Sequence, residues 1–266
     1  MAGDTPPARG VLLDLDGVVY VGDEPVPGAA EAVAWLGRER IPFRYLTNTT
    51  SHPRREIVAK LDGLGIPATA DQVLTPAVAA LAWMRRHRID RPALFVPPAT
   101  ATELADLHPL PAGAEGEAGA VVVGDLGEGW DFATLNRAFR LLVQPTRPPL
   151  LALGMTRYWR APDGLRLDAG AFVRALEFAA DREAVVLGKP DRAFYDAAVA
   201  ALGLSPDRVV MVGDDVRVDV GGAQRAGLRG VLVRTGKFSP SDLEGEVSPD
   251  AVLDSLADLP QWWQRG

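Results

Sequence analysis

Four apolar runs in this 266-residue chain lead into side chains that can do chemistry. Asp14 and Asp16 come after Val11-Leu12-Leu13, Thr47 and Asn48 after residues 42–46, Lys189 after Val185-Val186-Leu187, and Asp214, Asp215 and Asp219 after residues 209–212. Two carboxylates as close together as Asp14 and Asp16 repel each other unless a cation or a shared proton stands between them. Together the four groups suit phosphoryl transfer. Carboxylates can hold Mg²⁺, a lysine and hydroxyl or amide donors can hold phosphate oxygens, and one carboxylate is left to attack phosphorus. An Asp-x-Asp pair by itself also suits a glycosyltransferase metal site or an ordinary turn, so it gains its meaning from the other three groups.

The elements that must position these groups are legible in the pattern. Val11-Leu12-Leu13 reads as a strand buried on both faces, ending at Asp14, and in a parallel α/β sheet the site lies where such strands end. Ala29, Val33 and Leu36 then share a helical face, residues 42–46 read as a second strand, and Ile57, Leu61 and Leu64 share the face of a second helix. This rhythm predicts a doubly wound parallel sheet with right-handed crossovers. From about residue 77 the pattern predicts a second α/β unit: helix 77–87, strands 93–96 and 120–123, helix 132–143, strand 150–153 and helix 171–180. Strand 185–187, helix 192–202, strand 209–212, a helix through Ala226 and strand 231–233 return to the first unit. Val252, Leu256 and Leu259 fall at helical spacing, with Trp262 and Trp263 covering the core. The division expected is a core of residues 1–76 and 185–266 with 77–184 inserted.

Composition narrows the field. A net charge of −7 with no basic block argues against nucleic acid as partner, because binding a phosphate backbone needs a basic face. The absence of cysteine excludes disulfides, thiolate nucleophiles and cysteine zinc sites, and His52, His87 and His108 lack ligand-like spacing. No apolar stretch reaches the ~18 residues of a membrane span, and the first residues lack the apolar core of a signal peptide. The expectation is a cytoplasmic protein with a mobile tail of about nine residues.

DLDGVVY resembles the DxDGT/V signature of the haloacid-dehalogenase-like superfamily, and TN, GKP and GDDxxxD resemble its other motifs in the same order. The long segment between the second and third motifs is similar to the α/β (C2-type) cap of subfamily IIA, which contains the NagD-type and pyridoxal-phosphate phosphatases. The likeness covers nearly the whole chain and is weakest over residues 97–119. It implies a Rossmann-like core with an inserted cap, and a Mg²⁺-dependent phosphatase working through an aspartyl-phosphate. Candidate substrates are pyrophosphate, phospholysine or phosphohistidine, and pyridoxal phosphate. Asp14 would be the nucleophile and a Mg²⁺ ligand. Asp16 would be the acid and base, its backbone carbonyl on the metal. That role requires Asp16 to start protonated, held so by its surroundings. Asp214 would bind the metal directly, with Asp215 or Asp219 on it or just behind. Thr47, Lys189 and the N–H of Asn48 would hold phosphoryl oxygens, with Gly17 allowing close approach. Dehalogenases of the superfamily lack the second aspartate and the metal, so Asp16 weighs against that chemistry. A homodimer formed through the cap is also implied.

Plainer roles remain open for several of these residues. Lys189 also suits an ordinary position before a helix, Asp219 a turn, Thr47 and Asn48 helix caps, and His52 either a pocket edge or a solvent-facing site. The glycine-rich residues 124–129 read as a cap loop. In residues 155–160, Arg157 and its aromatic neighbours suit an anionic or flat substrate, or equally a solvated strand edge. Thr235-Gly236-Lys237 lacks the glycine-rich lead of a phosphate-binding loop. Besides hydrolysis, transfer to another acceptor and a non-catalytic binding role are consistent with the motifs, although intact Asp14, Asp16, Lys189 and Asp214 oppose the last.

Overall fold

The computed structural model describes residues 8–161 and 163–265, which form two compact units. The first runs to Thr47, resumes over Arg54–Leu74 and continues from Lys189; the second holds Asn48–Pro53 and Thr75–Gly188. In chain order the elements begin with strands β1 (Gly10–Asp14), β2 (Tyr20–Val21) and β3 (Glu24–Pro25), helix α1 (Ala29–Arg38), β4 (Phe43–Leu46), α2 (Arg54–Gly63) and β5 (Val73–Leu74). Next come α3 (Pro76–Arg86), β6 (Ala93–Phe95), α4 (Pro98–Ala101), β7 (Val121–Val123), α5 (Phe132–Leu142), β8 (Leu150–Ala152), β9 (Tyr158–Ala161), β10 (Gly164–Leu167), α6 (Ala169–Ala180) and β11 (Val185–Val186). The chain then forms α7 (Arg192–Leu202), β12 (Val209–Gly213), α8 (Gly222–Arg225), β13 (Arg229–Val233), β14 (Ala251–Leu253) and α9 (Leu259–Trp263).

The first unit is built on a six-stranded parallel sheet in the order β14-β13-β12-β1-β4-β5. β1 is buried along its whole length. Val11 and Leu13 join Ala29, Val33 and Leu36 of α1 in one apolar cluster, and Leu12, pointing the other way, is equally buried, as the period of two in a strand requires. The chain winds outward from β1 through β4 and β5 on one side and through β12, β13 and β14 on the other. The winding therefore reverses between β1 and β12, the place where such sheets open a crevice at the strands' carboxyl ends. The register aligns Asp14 with Leu46 of β4 and Leu13 with Val212 of β12, so Asp14, Thr47 and Asp214 reach the same edge.

The second unit has its own parallel sheet, β11-β8-β7-β6, and an antiparallel hairpin of β9 and β10. Val121, Val122 and Val123 are fully buried, and Trp130 stacks between Phe95 and Phe172. Asp131 and Asp168 cap α5 and α6 by accepting backbone N–H groups, so α6 starts at Ala169 rather than at residue 171.

Several elements differ from the sequence expectation. β11 pairs with β8 in the second unit's sheet, Val185 beside Leu151 and Val186 beside Ala152, and so does not join β1. An apolar run announces a strand without saying which sheet takes it. Val252 lies in β14, a 3-10 turn follows over Leu256–Asp258 and α-helix begins only at Leu259, because half-burying Val252 and burying Leu256 and Leu259 along a strand, a 3-10 turn and a helix produces the same spacing as a continuous helical face. Residues after β12 wind first as a π-helix, Val216–Gly221, before α8. The short hairpin of β2 and β3 follows Gly17 directly, where the sequence suggested only extended chain.

Candidate active site

Asp14 is the last residue of β1, Asp214 the first after β12, and Asp219 sits in the π-helix that follows. All three are buried, and one carboxylate oxygen from each lies within 4.8 Å of the others. Lys189, only 8% exposed, donates from Nζ to Asp14 Oδ1 and to Asp219 Oδ1, both at 2.6 Å. Asp219 Oδ2 accepts the N–H of Asp215 at 3.2 Å, and the Tyr195 hydroxyl of α7 reaches the carbonyl oxygens of Val218 and Asp219 at 2.9 and 3.1 Å. The π-helix is thus held from below by a tyrosine and from its side chain by a lysine. Gly213 is required beside it, since a Cβ there would lie 2.2 Å from the Asp219 Cβ.

Among the described residues, Asp214 is bonded on one oxygen only. Oδ2 accepts the N–H of Lys237 at 2.8 Å, whereas Oδ1 is buried and makes no hydrogen bond. Three carboxylates facing one ammonium leave a net charge of minus two when all are ionised, in surroundings where unpaired charge is costly. Burial raises the proton affinity of Asp14, opposed by Lys189 and reinforced by Asp214. Burial likewise pushes Asp219 up to about 6 against the pull of Lys189, and raises Asp214 against the Lys237 amide. For Lys189 burial works against the charge, but Asp14 and Asp219 outweigh it and hold the ammonium above the ordinary lysine range. An all-oxygen donor set, two surplus negative charges and an unpartnered buried oxygen fit a hard divalent cation.

The other anticipated residues are placed as follows. Asp16 stands outside this cluster with an exposed side chain, whereas Asp14, Asp214 and Asp219 are buried. The reason is local: the chain leaves the sheet at Asp14 and turns through Gly17, whose φ is +86°. Of Asp215 and Asp219, it is Asp219 that lies with Asp14 and Asp214; Asp215 Oδ1 instead caps the π-helix, accepting the N–H groups of Arg217 and Val218. Thr47 is half-buried directly after β4, its N–H donating to Leu74. Asn48 and Arg157 belong to the second unit, where Arg157 is exposed with its guanidinium 5.7 Å from the Tyr158 ring centre. In the loop of residues 124–129, Asp125 Oδ1 accepts the Gly127 N–H.

Sequence reasoning missed three contributors. Tyr195 reads as an ordinary apolar position of a helix. Lys60 of α2 donates to the Gly22 carbonyl and lies 4.3 Å over the Tyr20 ring, bracing the hairpin after Gly17. Burial, then Asp16 and Asp14, push the Tyr20 hydroxyl up to about 12. The third is Thr235-Gly236-Lys237, and here a signal existed: it follows a fifth apolar run, residues 231–233, by the same logic that exposed the other four.

Comparison with known proteins agrees with this picture. Residues 11–108 match the family model described as haloacid dehalogenase-like hydrolase, and residues 186–259 the one described as HAD-hydrolase-like. The chain is 38% identical over 255 residues to the phospholysine phosphohistidine inorganic pyrophosphate phosphatase of Homo sapiens, covering 94% of this chain and 92% of that one. Among solved structures, a p-nitrophenyl phosphatase from Archaeoglobus fulgidus superposes with a TM-score of 0.85 at 26% identity, covering 97% of this chain and 100% of its own. The 4-nitrophenylphosphatase of Thermotoga maritima gives 0.82 at 27%, covering 96% and 97%.

Proposed function

The chain belongs to the haloacid-dehalogenase-like hydrolases, and on that premise we propose that it is a Mg²⁺-dependent phosphatase that hydrolyses a small phosphorylated substrate through an aspartyl-phosphate on Asp14. The observation that carries this reading is the buried trio of Asp14, Asp214 and Asp219 around Lys189, with Asp214 Oδ1 lacking a partner. These three carboxylates, with the Asp16 backbone carbonyl, would hold the cation. When bound, Mg²⁺ offsets the negative charge on the phosphoryl oxygens.

The chain's own residues supply the rest. Lys189 binds Asp14 Oδ1, which fixes the carboxylate and leaves its second oxygen to attack phosphorus. As that O–P bond forms, the bond to the leaving group breaks, and Asp16 delivers a proton to the departing atom. Asp16 then takes a proton from the water that hydrolyses the aspartyl-phosphate. Its exposure supports this double duty, because the residue must exchange protons with both leaving group and water. Thr47, the Asn48 N–H and Lys189 hold the phosphoryl oxygens, and Gly17 keeps that approach free of a side chain.

The relative's name supports pyrophosphate and N-phosphorylated amino acids as substrates, with pyridoxal phosphate or another small phosphorylated metabolite as the alternative. A P–N or P–O–P bond carries a good leaving group and asks least of Asp16. Residues 77–184 act as the substrate-selecting cap, with Arg157 as an anion contact. Exposed Phe132, Phe178, Leu165 and Leu167 in that region support a homodimer. No helix among the described residues is long and apolar enough to cross a membrane, which is compatible with a cytoplasmic place of action.

The test is phosphate release with Mg²⁺ and with EDTA across pyrophosphate, phosphoramidates, pyridoxal phosphate, sugar phosphates and nucleotides, for the wild type and Asp14→Asn. Release that needs Mg²⁺ and vanishes in the folded variant is expected. Release that persists in EDTA, or in Asp14→Asn at the wild-type rate, overturns the assignment.

A further inference from the structure

β13 ends at Val233, and two residues further on the chain closes over one oxygen of the carboxylate cluster. Thr235 Oγ1 donates to the Gly17 carbonyl at 2.5 Å, and the Lys237 N–H donates to Asp214 Oδ2 at 2.8 Å. Between them Gly236 has φ +66°, and a Cβ there would fall 2.1 Å from Asp214 Oδ2 and 2.6 Å from the Gly17 Cα. A Cβ on Gly17 would fall 2.0 Å from the same oxygen. Two glycines in the left-handed region and one amide therefore enclose Oδ2, and neither glycine position has room for a side chain. The other oxygen, Oδ1, stays buried with no hydrogen bond.

We propose that Thr235-Gly236-Lys237 is a positioning element for the divalent cation: it immobilises Asp214 through Oδ2 so that Oδ1 is the oxygen presented beside Asp14 and Asp219. Thr235 sets the element in place by gripping the backbone of Gly17, in the turn that follows Asp14 and Asp16. A carboxylate free to rotate loses that freedom when it binds a cation; one already held on its far oxygen does not, which raises affinity without adding a contact to the metal. The element thus governs cation affinity, while the attack by Asp14 is left to other residues. The proposal rests on the reading of this cluster as a cation site.

Thr235→Val removes the hydroxyl and keeps the shape, and Thr235→Ser returns it. Mn²⁺ binding to EDTA-treated protein, followed by calorimetry, measures affinity without turnover, and phosphate release as a function of Mg²⁺ concentration gives the second readout. Thr235→Val is expected to weaken Mn²⁺ binding roughly three- to tenfold, the worth of one hydrogen bond, and to raise the Mg²⁺ requirement by a similar factor, with most of the lost rate returning at saturating Mg²⁺. Thr235→Ser is expected to restore affinity to within about twofold of the wild type on the same scale. Should Thr235→Val not fold, Thr235→Ala provides the same comparison. Wild-type Mn²⁺ affinity in a folded variant lacking the hydroxyl overturns the proposal and leaves the cation site standing. A wild type that binds no Mn²⁺ at all overturns the reading beneath it.

Discussion

Replacing Lys189 by methionine is the perturbation most directly set by the structure. Lys189 makes two 2.6 Å bonds, to Asp14 and Asp219, and its methionine counterpart would leave three buried carboxylates without the ammonium that pairs two of them. Removing one partner from a buried charge network costs about 3–5 kcal/mol, far more than the network's net worth, because the charges left behind stay desolvated. For a chain of this size that lowers Tm by roughly 6–20 °C. The sign with pH follows from the raised proton affinity of Lys189: its contribution is fully present at neutral pH and fades only as pH climbs above the ordinary lysine range. Without Lys189, which pulls their proton affinity down against burial, the carboxylates of the variant take up protons more readily than in the wild type, so the deficit shrinks as pH falls. Urea and thermal unfolding in EDTA at neutral pH provide the assay. Mg²⁺ should recover part of the loss, since it supplies the missing positive charge. So should Lys189→Met combined with Asp219→Asn, which removes one charge of each sign and is less destabilised than the single variant. A loss below about 1 kcal/mol in EDTA, or a double variant worse than the sum of its parts, would refute the charge argument.

Two further outcomes are expected. Asp16→Asn should keep Mn²⁺ affinity yet slow hydrolysis of esters with poor leaving groups by ~10²–10⁴-fold, with a smaller loss on P–N substrates; an unchanged rate on an alkyl phosphate would assign the proton to another group. Cation affinity should fall as pH drops through about 6, where Asp219 begins to hold a proton that the metal must displace, by up to roughly tenfold per unit, and level off above that range. Calorimetric titrations that give one affinity from about pH 5 to 7 would show that Asp219 is not on the cation.

Much of this site was legible because its groups stand where apolar strands stop. β1, β4 and β12 are short buried runs, and a strand buried on both faces leaves no ambiguity about where it ends, so Asp14, Thr47 and Asp214 could be read off directly. Lys189 was found for a partly wrong reason, since the strand before it pairs in the other sheet. What stayed hidden depends on contacts between segments far apart in sequence. Nothing local to Thr235 announces that its hydroxyl will meet Gly17, and nothing local to Asp16 says that the turn at Gly17 will leave it exposed. Asp219 carried two readings, a ligand and a turn residue; in the structure its Oδ2 accepts a backbone amide and its Oδ1 accepts from Lys189.

The strand order of the six-stranded sheet also dictates a timetable. β1 emerges first from the ribosome, but its neighbour β12 is synthesised only after Val209, when the second unit, complete at Gly188, is already available to fold. Pairings between the two ends of a chain are slow to close, and domains tend to fold as their own sequence is completed. Asp14 is therefore synthesised well before Lys189, Asp214 and Asp219, the groups it meets in the folded sheet. A nascent chain released before β12 carries β1 with one edge unpaired, a surface open to misassociation. Truncations between Gly188 and Val209 should thus be the most dependent on chaperones, and full solubility should return only once β12 and β13 are present.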